Sequence, residues 1–273
     1  MKTLTELRSG ARERLAGNYG TVIGASIIYT LITNMISTPA GGAGSLQNYM
    51  LTGEIPALSP SYLLSIPLSI IGVVLSFLLS PGISRIIFEV MEKRTAYLGD
   101  LFYCFRNNPL TAVAIGLWVL LYTIPASLIF GAGLTVFLLS GSFFKDSIPL
   151  PVSVALLIIA SLIYIIILIY IELSVSMVYF LYFDNPEKTA HELLKESFRL
   201  MKGRKGKLLS LYLSYAGYYI LGFLSCGLAL LWVNPNVTGA AVLFYRDICS
   251  GEGPETVDSI PVYHASYQQD YWN

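Results

Sequence analysis

Residues 152–183 read VSVALLIIASLIYIIILIYIELSVSMVYFLYF, with Glu172 as the one charge among them. About 20 mostly apolar residues are enough to span the hydrocarbon core of a bilayer, so a run of this length reads as a membrane-crossing helix. Four other stretches reach span length: 19–37, 62–88, 110–139 and 208–233. A sixth, Val237 to Cys249, is short. It is kept as a crossing because its predecessor is read as ending outside, at Asn234-Pro235, and because Arg246 and the acidic tail would otherwise lie outside as well. The expected fold class is all-α, a polytopic membrane helical bundle of about six transmembrane helices, the last one short.

Composition agrees. The chain is 55% hydrophobic and 12% charged, with a mean hydropathy of +0.64, whereas soluble domains carry about 25% charged residues. All but Lys145 of the 17 basic residues fall on segments that share one side of the bilayer in this arrangement. They are Lys2, Arg8, Arg12 and Arg14, then Arg85, Lys93, Arg94 and Arg106, then Lys188, Lys195, Arg199, Lys202, Arg204, Lys205 and Lys207, and last Arg246. Basic loops stay cytoplasmic, so a plasma or inner membrane protein with both termini inside is expected. Residues 1–249 form one integral membrane domain on this reading, and 250–273 a polar cytoplasmic tail that holds Tyr263, Tyr267, Tyr271 and Trp272.

Thr38-Pro39-Ala40 imitates a signal cleavage site. The preceding amphipathic segment carries mixed charge and is too long for a basic leader, so the first apolar run is read as a span. Gly41, Gly42 and Gly44 open a loop to Pro60 whose only charge is Glu54, and it is placed outside. A net charge of +0 argues against a nucleic-acid partner, which needs a concentrated basic surface outside the membrane. Cys104, Cys226 and Cys249 are odd in number and widely spaced, and read as reduced packing residues.

One unit recurs three times: an amphipathic cytoplasmic helix, a crossing outward, an external turn and a crossing back. Leu4, Leu7, Ala11 and Leu15 lie at helical spacing beside Arg8, Arg12 and Arg14, and Gly17-Asn18 ends the run. Leu98, Leu101, Phe102 and Phe105 repeat the stripe before Asn107-Asn108-Pro109, and Leu193, Leu194, Phe198 and Met201 repeat it before Gly203 and Gly206. After each stop stands a small-residue pair: Gly20 and Gly24, Ala112 and Gly116, Ser210 and Ser214. Such pairs let helices approach closely in lipid, so the three outward helices are expected to meet in a pseudo-threefold bundle, the other reading being that small residues are common in any membrane helix. The amphipathic helices would lie on the inner membrane surface as a collar. In the last of them Lys202, Arg204, Lys205 and Lys207 sit at the membrane boundary, where each cation near an anionic leaflet contributes roughly 1 kcal/mol. These four are the candidate contact for anionic lipid, a topology anchor being the other reading.

Further residues carry a family resemblance. Asp184-Asn185-Pro186, Ser197, Met201-Lys202-Gly203, Leu211, Ser214, Gly217, Gly227, Trp232, Pro235, Thr238, Ala241 and Phe244-Tyr245 together resemble the bacterial membrane-protein family called domain of unknown function 975. Gly17-Asn18-Tyr19 and Leu101-Phe102 with Phe105 fit it too, so coverage runs from the N-terminus to about residue 249. Tyr218 and Asn236 depart from it, standing where the family often has Trp and Tyr. The resemblance implies a multi-span bacterial membrane protein and no established activity.

No arrangement for catalysis is recognisable. His191-Glu192-Leu193-Leu194-Lys195 puts Lys where a zinc protease needs its second His, and His264 is far away. No phosphate-cradling glycine loop or nucleophile elbow occurs, and Leu98-Gly99-Asp100 has no partner aspartate in a span. A protein without enzymatic activity, metal or cofactor is expected. Charges near hydrocarbon carry the most information, since an Arg or Asp at a span's centre costs about 2.5 to 3.5 kcal/mol. Arg85 and Glu172 fall at similar depth, Glu89 lies one turn beyond Arg85, and Arg246 approaches from the last helix. These four are the candidate residues of a polar pocket open to the cytoplasm, separate snorkelling to the interface being the alternative. Pro67, Pro81 and Pro125 interrupt the second and third crossings and free backbone groups. The function expected is binding, moving or sequestering a lipid-like or amphiphilic compound, with membrane lipids as partners. The alternative is a scaffold that docks another membrane protein.

Overall fold

The computed structural model describes residues 2–37, 60–92, 95–140 and 150–251, and every regular element among them is helical. The loop expected outside, Lys93, Arg94, Lys145, His264 and the aromatic tail lie outside the described residues. The helices are α1 (Leu4–Leu15), α2 (Tyr19–Ser37), α3 (Pro60–Met91), a 3-10 turn at Leu98–Phe102, α4 (Tyr103–Arg106), α5 (Pro109–Ser140) and α6 (Leu150–Val175). They continue with α7 (Val178–Asp184), α8 (Ala190–Leu200), α9 (Lys205–Leu213), α10 (Ala216–Leu224) and α11 (Leu230–Gly251).

Three helical stretches among the described residues are long and apolar enough to cross a membrane: Pro67–Met91, Pro109–Ser140 and Pro151–Asp184. A fourth is added if α1 and α2, bent by 89° at their junction, count as one. Gly17 takes a φ of +93° there, a left-handed turn that a side chain would strain. At 1.5 Å per residue α5 is about 48 Å long, well beyond a hydrocarbon core of about 30 Å. Exposure marks which part projects. Large exposed apolar side chains run along α6 from Val152 to Tyr170 and along α5 from Leu110 to Leu138. The α6 stretch covers about 30 Å of helix and the α5 stretch about 40 Å.

Beyond this belt the helices are wrapped by others. α11 is the centre of the wrapped end and packs on α1, α2, α3, α9 and α10. Helix α1 runs antiparallel to it: the Lys2 amide donates to Asp247 at 2.8 Å, while Gly239 packs against Ala11 and the Met91 thioether. Leu7, Ala11 and Leu15, one stripe of α1, are fully buried. In α8 the same spacing buries Leu193, Leu194, Ser197 and Leu200, and Ser197 donates to the Ser174 carbonyl at 2.7 Å, beside the break between α6 and α7. Both helices begin with reciprocal caps, Thr3 with Glu6 and Thr189 with Glu192. The amphipathic segments expected as a surface collar therefore form, but α1 and α8 also bury their apolar faces in the bundle.

Two expectations are corrected. Residues 208–233 are not one crossing: they divide into α9, α10 and the start of α11, and no break occurs at Asn234-Pro235. The turn falls at Ser225–Ala229 instead, where Cys226 (φ +52°) and Gly227 (φ +91°) close α10 by Gly227 N–H to Gly222 carbonyl at 2.8 Å. Pro235 lies just past the first turn of α11, where it removes a single hydrogen bond. The Asn236 side chain donates to the Trp232 carbonyl at 2.7 Å. The second correction concerns the small-residue pairs. Ala112 is buried and a Cβ on Gly116 would meet the Phe77 ring at 2.5 Å, but Gly20 and Ser210 are exposed. α2 packs on α3 and α3 on α5, so α3 stands where the outward helices were expected to meet. Pro67 and Pro81 lie inside a continuous α3, and Pro125 inside α5.

Candidate functional site

The four charges expected to share one pocket separate into two bound groups and one carboxylate, Glu172, that has no partner among the described residues. Arg246 donates to both oxygens of Asp184, at 2.8 and 3.1 Å, and to Glu92 at 2.7 Å, and lies over the Phe88 ring at 4.9 Å. Tyr245 adds a hydrogen bond to Asp184 at 2.7 Å. This group ties the ends of α3, α7 and α11 together in the wrapped end. Arg85 pairs with Glu89 one turn along α3 and stacks on Tyr103 at 4.6 Å and Phe183 at 5.4 Å. The Arg85–Glu172 pair therefore does not form; helical spacing already gives Arg85 a partner on its own helix.

Glu172, an exposed residue, stands elsewhere, on the wall of an open cavity of about 370 Å³ lined by residues of α3, α5, α6, α7, α9 and α11. Its apolar walls include Phe77, Val119, Phe180 and Ala241, and its hydroxyls come from Ser80, Ser84, Thr238, Tyr179 and Tyr212. Neither Glu172 nor these five hydroxyls has an ion-pair or hydrogen-bond partner among the described residues. Glu172 and Ser80 are exposed and Ser84, Thr238, Tyr179 and Tyr212 are half-buried, so these groups line the cavity where it opens to the surroundings. Chemically the cavity offers one acid, several neutral donors and aromatic faces. No group of three possible metal-ligating side chains forms among the described residues.

A second cavity of about 610 Å³ lies on the other side of α3, lined by Ser26, Tyr29, Thr30, Ile83, Leu231 and Asn234 among others. Ser80 and Ser84 line both cavities. They flank Pro81, which lacks the N–H that would bond the carbonyl of Phe77. The candidate lipid contacts sit at the turn from α8 to α9. Lys202 is exposed, Gly203 adopts φ +77°, Arg204 donates to the Leu200 carbonyl at 3.1 Å, Lys205 lies 3.4 Å over the Tyr170 ring, and Lys207 is half-buried. Lys205 therefore reaches the level at which the exposed apolar face of α6 ends.

Asp184, Tyr245, Pro235, Thr238 and Ala241 now have places: the first two anchor Arg246, and Thr238 and Ala241 line the first cavity within two turns past Pro235. The match to a known family covers residues 1–252. The chain belongs to the DUF975 family of proteins of unknown function. No curated protein and no solved structure matches it. Among the residues that carry the DUF975 resemblance, Met201 is buried at the end of α8, and the Pro186 carbonyl accepts from the Asn108 side chain at 2.9 Å. Tyr218 keeps an aromatic contact with Trp232, their centroids 5.7 Å apart, and the buried Asn236 accepts from Tyr19 at 3.2 Å.

Sequence reading missed Asp184, Glu92 and Tyr245 as partners of Arg246, and the hydroxyls around Glu172. The signal available was faint. Ser80, Ser84 and Phe77 fall at helical spacing around Pro81, and Tyr179 follows Glu172 by two turns.

Proposed function

We propose that this chain is a multi-pass membrane protein without enzymatic activity, which binds an amphiphilic compound in the Glu172 cavity and moves or sequesters it. The Glu172 carboxylate carries the reading. A charge near hydrocarbon costs several kcal/mol and persists where a function holds it, usually with a partner. Among the described residues Glu172 has no partner, and space for one is present beside it. The exposed apolar belt supports a bilayer setting, and the one-sided Lys and Arg distribution supports both termini on the inner side of the cell membrane. In that arrangement α9–α10 and the start of α11 form a short third hairpin that enters the bilayer from the wrapped end, and Lys202, Arg204, Lys205 and Lys207 face anionic headgroups.

The test is native mass spectrometry of the full chain extracted in mild detergent, comparing wild type with Thr238→Trp, which fills the cavity. Wild type is expected to retain a small amphiphile that the filled variant lacks. Equal occupancy in both, or none in wild type, removes the reading. The scaffold alternative draws on Gly20, which is exposed with open space where a side chain would stand. A protein that co-purifies with wild type and is lost with Gly20→Leu would favour it.

A further inference from the structure

We infer that the Glu172 cavity selects a cationic head, an ammonium or substituted ammonium group, over an anionic one. The inference rests on the proposed binding role and names the ligand's chemistry. Among the described residues Glu172 is the only charged one on the cavity wall. The cations in the surroundings are committed elsewhere: Arg85 to Glu89, Arg246 to Asp184 and Glu92, and Arg8 to the faces of Tyr215 at 4.9 Å and Tyr218 at 5.8 Å. Lys205 sits over Tyr170, two positions from Glu172, which puts it on nearly the opposite side of α6. An ionised Glu172 therefore leaves the cavity with one uncompensated negative charge.

The rest of the wall suits the same ligand. Phe77, Tyr179, Phe180 and Tyr212 all line the cavity. Aromatic faces attract cations through the ring quadrupole, most strongly where water is excluded, and they offer an anion nothing. The hydroxyls of Ser80, Ser84 and Thr238 can accept hydrogen bonds from N–H groups. A hydrocarbon portion attached to the head has room across α3, where the second cavity shares Ser80 and Ser84 and is the more apolar of the two.

Two probes of matched size separate the possibilities: benzyltrimethylammonium and benzenesulfonate, titrated calorimetrically into the full-length protein in maltoside micelles against empty micelles. The wild type is expected to bind the ammonium and not the sulfonate, a comparison that needs no variant. Glu172→Gln, nearly equal in shape, is expected to weaken ammonium binding by about tenfold, the loss of the charge contact. Its thermal midpoint is checked in parallel so that a misfolded sample is recognised. Equal binding of both probes, or ammonium binding unchanged in a folded Glu172→Gln protein, overturns the charge preference. Binding of neither probe overturns it too, and an amphiphile retained in the mass spectrum would still leave the broader binding role standing.

Discussion

The wrapped end and the apolar belt are built from the same long helices, yet they are held together differently. In the wrapped end Leu7, Leu15, Ile86, Met91, Tyr182, Phe244 and Tyr245 bury on one another, and ion pairs tie α3, α7 and α11. In the belt the most apolar window of 151–184 is only 11% buried within the fold, and Ile166 is 67% exposed. The first arrangement is what water enforces, because apolar area removed from it is stabilising at roughly 25 cal/mol per Å². The second is stable only where the surroundings are themselves apolar. The exposed apolar face of α6 ends near Tyr170, and the Glu172 cavity lies beside that end.

Two glycines give the sharpest contrast. A Cβ on Gly82 would stand 2.0 Å from the backbone oxygen of Leu101, whereas Gly131, in the belt, has nothing within 4 Å. Gly82→Ala is therefore expected to destabilise by about 3 kcal/mol or more, since backbone must move. Gly131→Ala is expected to be neutral or stabilising by up to about 1 kcal/mol, the helix preference for Ala. Unfolding midpoints in detergent measure both, and similar effects would dissolve the distinction between the regions. Next in size is Asp184→Ala, which leaves Arg246 with Glu92 alone and Tyr245 without its acceptor. A loss of about 2 to 3 kcal/mol is expected from half-buried charged partners. Its counterpart in the belt, Ile166→Ala, is expected within about 0.5 kcal/mol, as for an exposed site.

Cysteine chemistry probes the same boundary with no change of sequence. Burial pushes the Cys104 thiol up to about 12, and its side chain is fully buried between the 3-10 turn and α7. Cys226, at the turn after α10, is exposed. At pH 8 a membrane-permeant maleimide is expected to modify Cys226 in the folded protein and spare Cys104, because the thiolate is the reactive species. Peptide mass mapping reads the outcome, and early labelling of Cys104 would show that the wrapped end is open.

Much of the belt was legible in the sequence, because a run such as 152–183 needs no knowledge of its neighbours to declare its solvent. The bounds of α2 coincide with the first apolar run, and the amphipathic stripes of α1 and α8 follow from spacing alone. The third hairpin was not legible. Residues 208–233 are apolar throughout, and only the positive φ of Cys226 and Gly227 reveals where the chain turns. Partner choice at the charges was equally hidden, except for Arg85 and Glu89, which share one helix face. Each helix can rotate by 100° per residue of offset, so whether Arg246 faces Glu172 or Asp184 depends on packing that hydropathy does not encode.

The smallest expected effect lies at the helix starts. Glu6 and Glu192 are fully exposed, and each accepts hydrogen bonds from the backbone and hydroxyl of its capping threonine, which hold both carboxyls below the ordinary value of 4.5. A carboxyl whose value is lowered by folding stabilises the fold while ionised. That contribution is complete above the ordinary value and is lost as pH falls through the lowered one. The stability difference between wild type and Glu192→Gln should therefore stay constant from neutral pH down to about 5 and shrink below 4.5. Glu6→Gln should behave alike, although α1 packs on α11 and α8 on α5 and α6. A difference that grew on acidification would mean that these carboxylates oppose the helices they begin, and that burial of the Leu7 and Leu193 faces alone holds α1 and α8 in place.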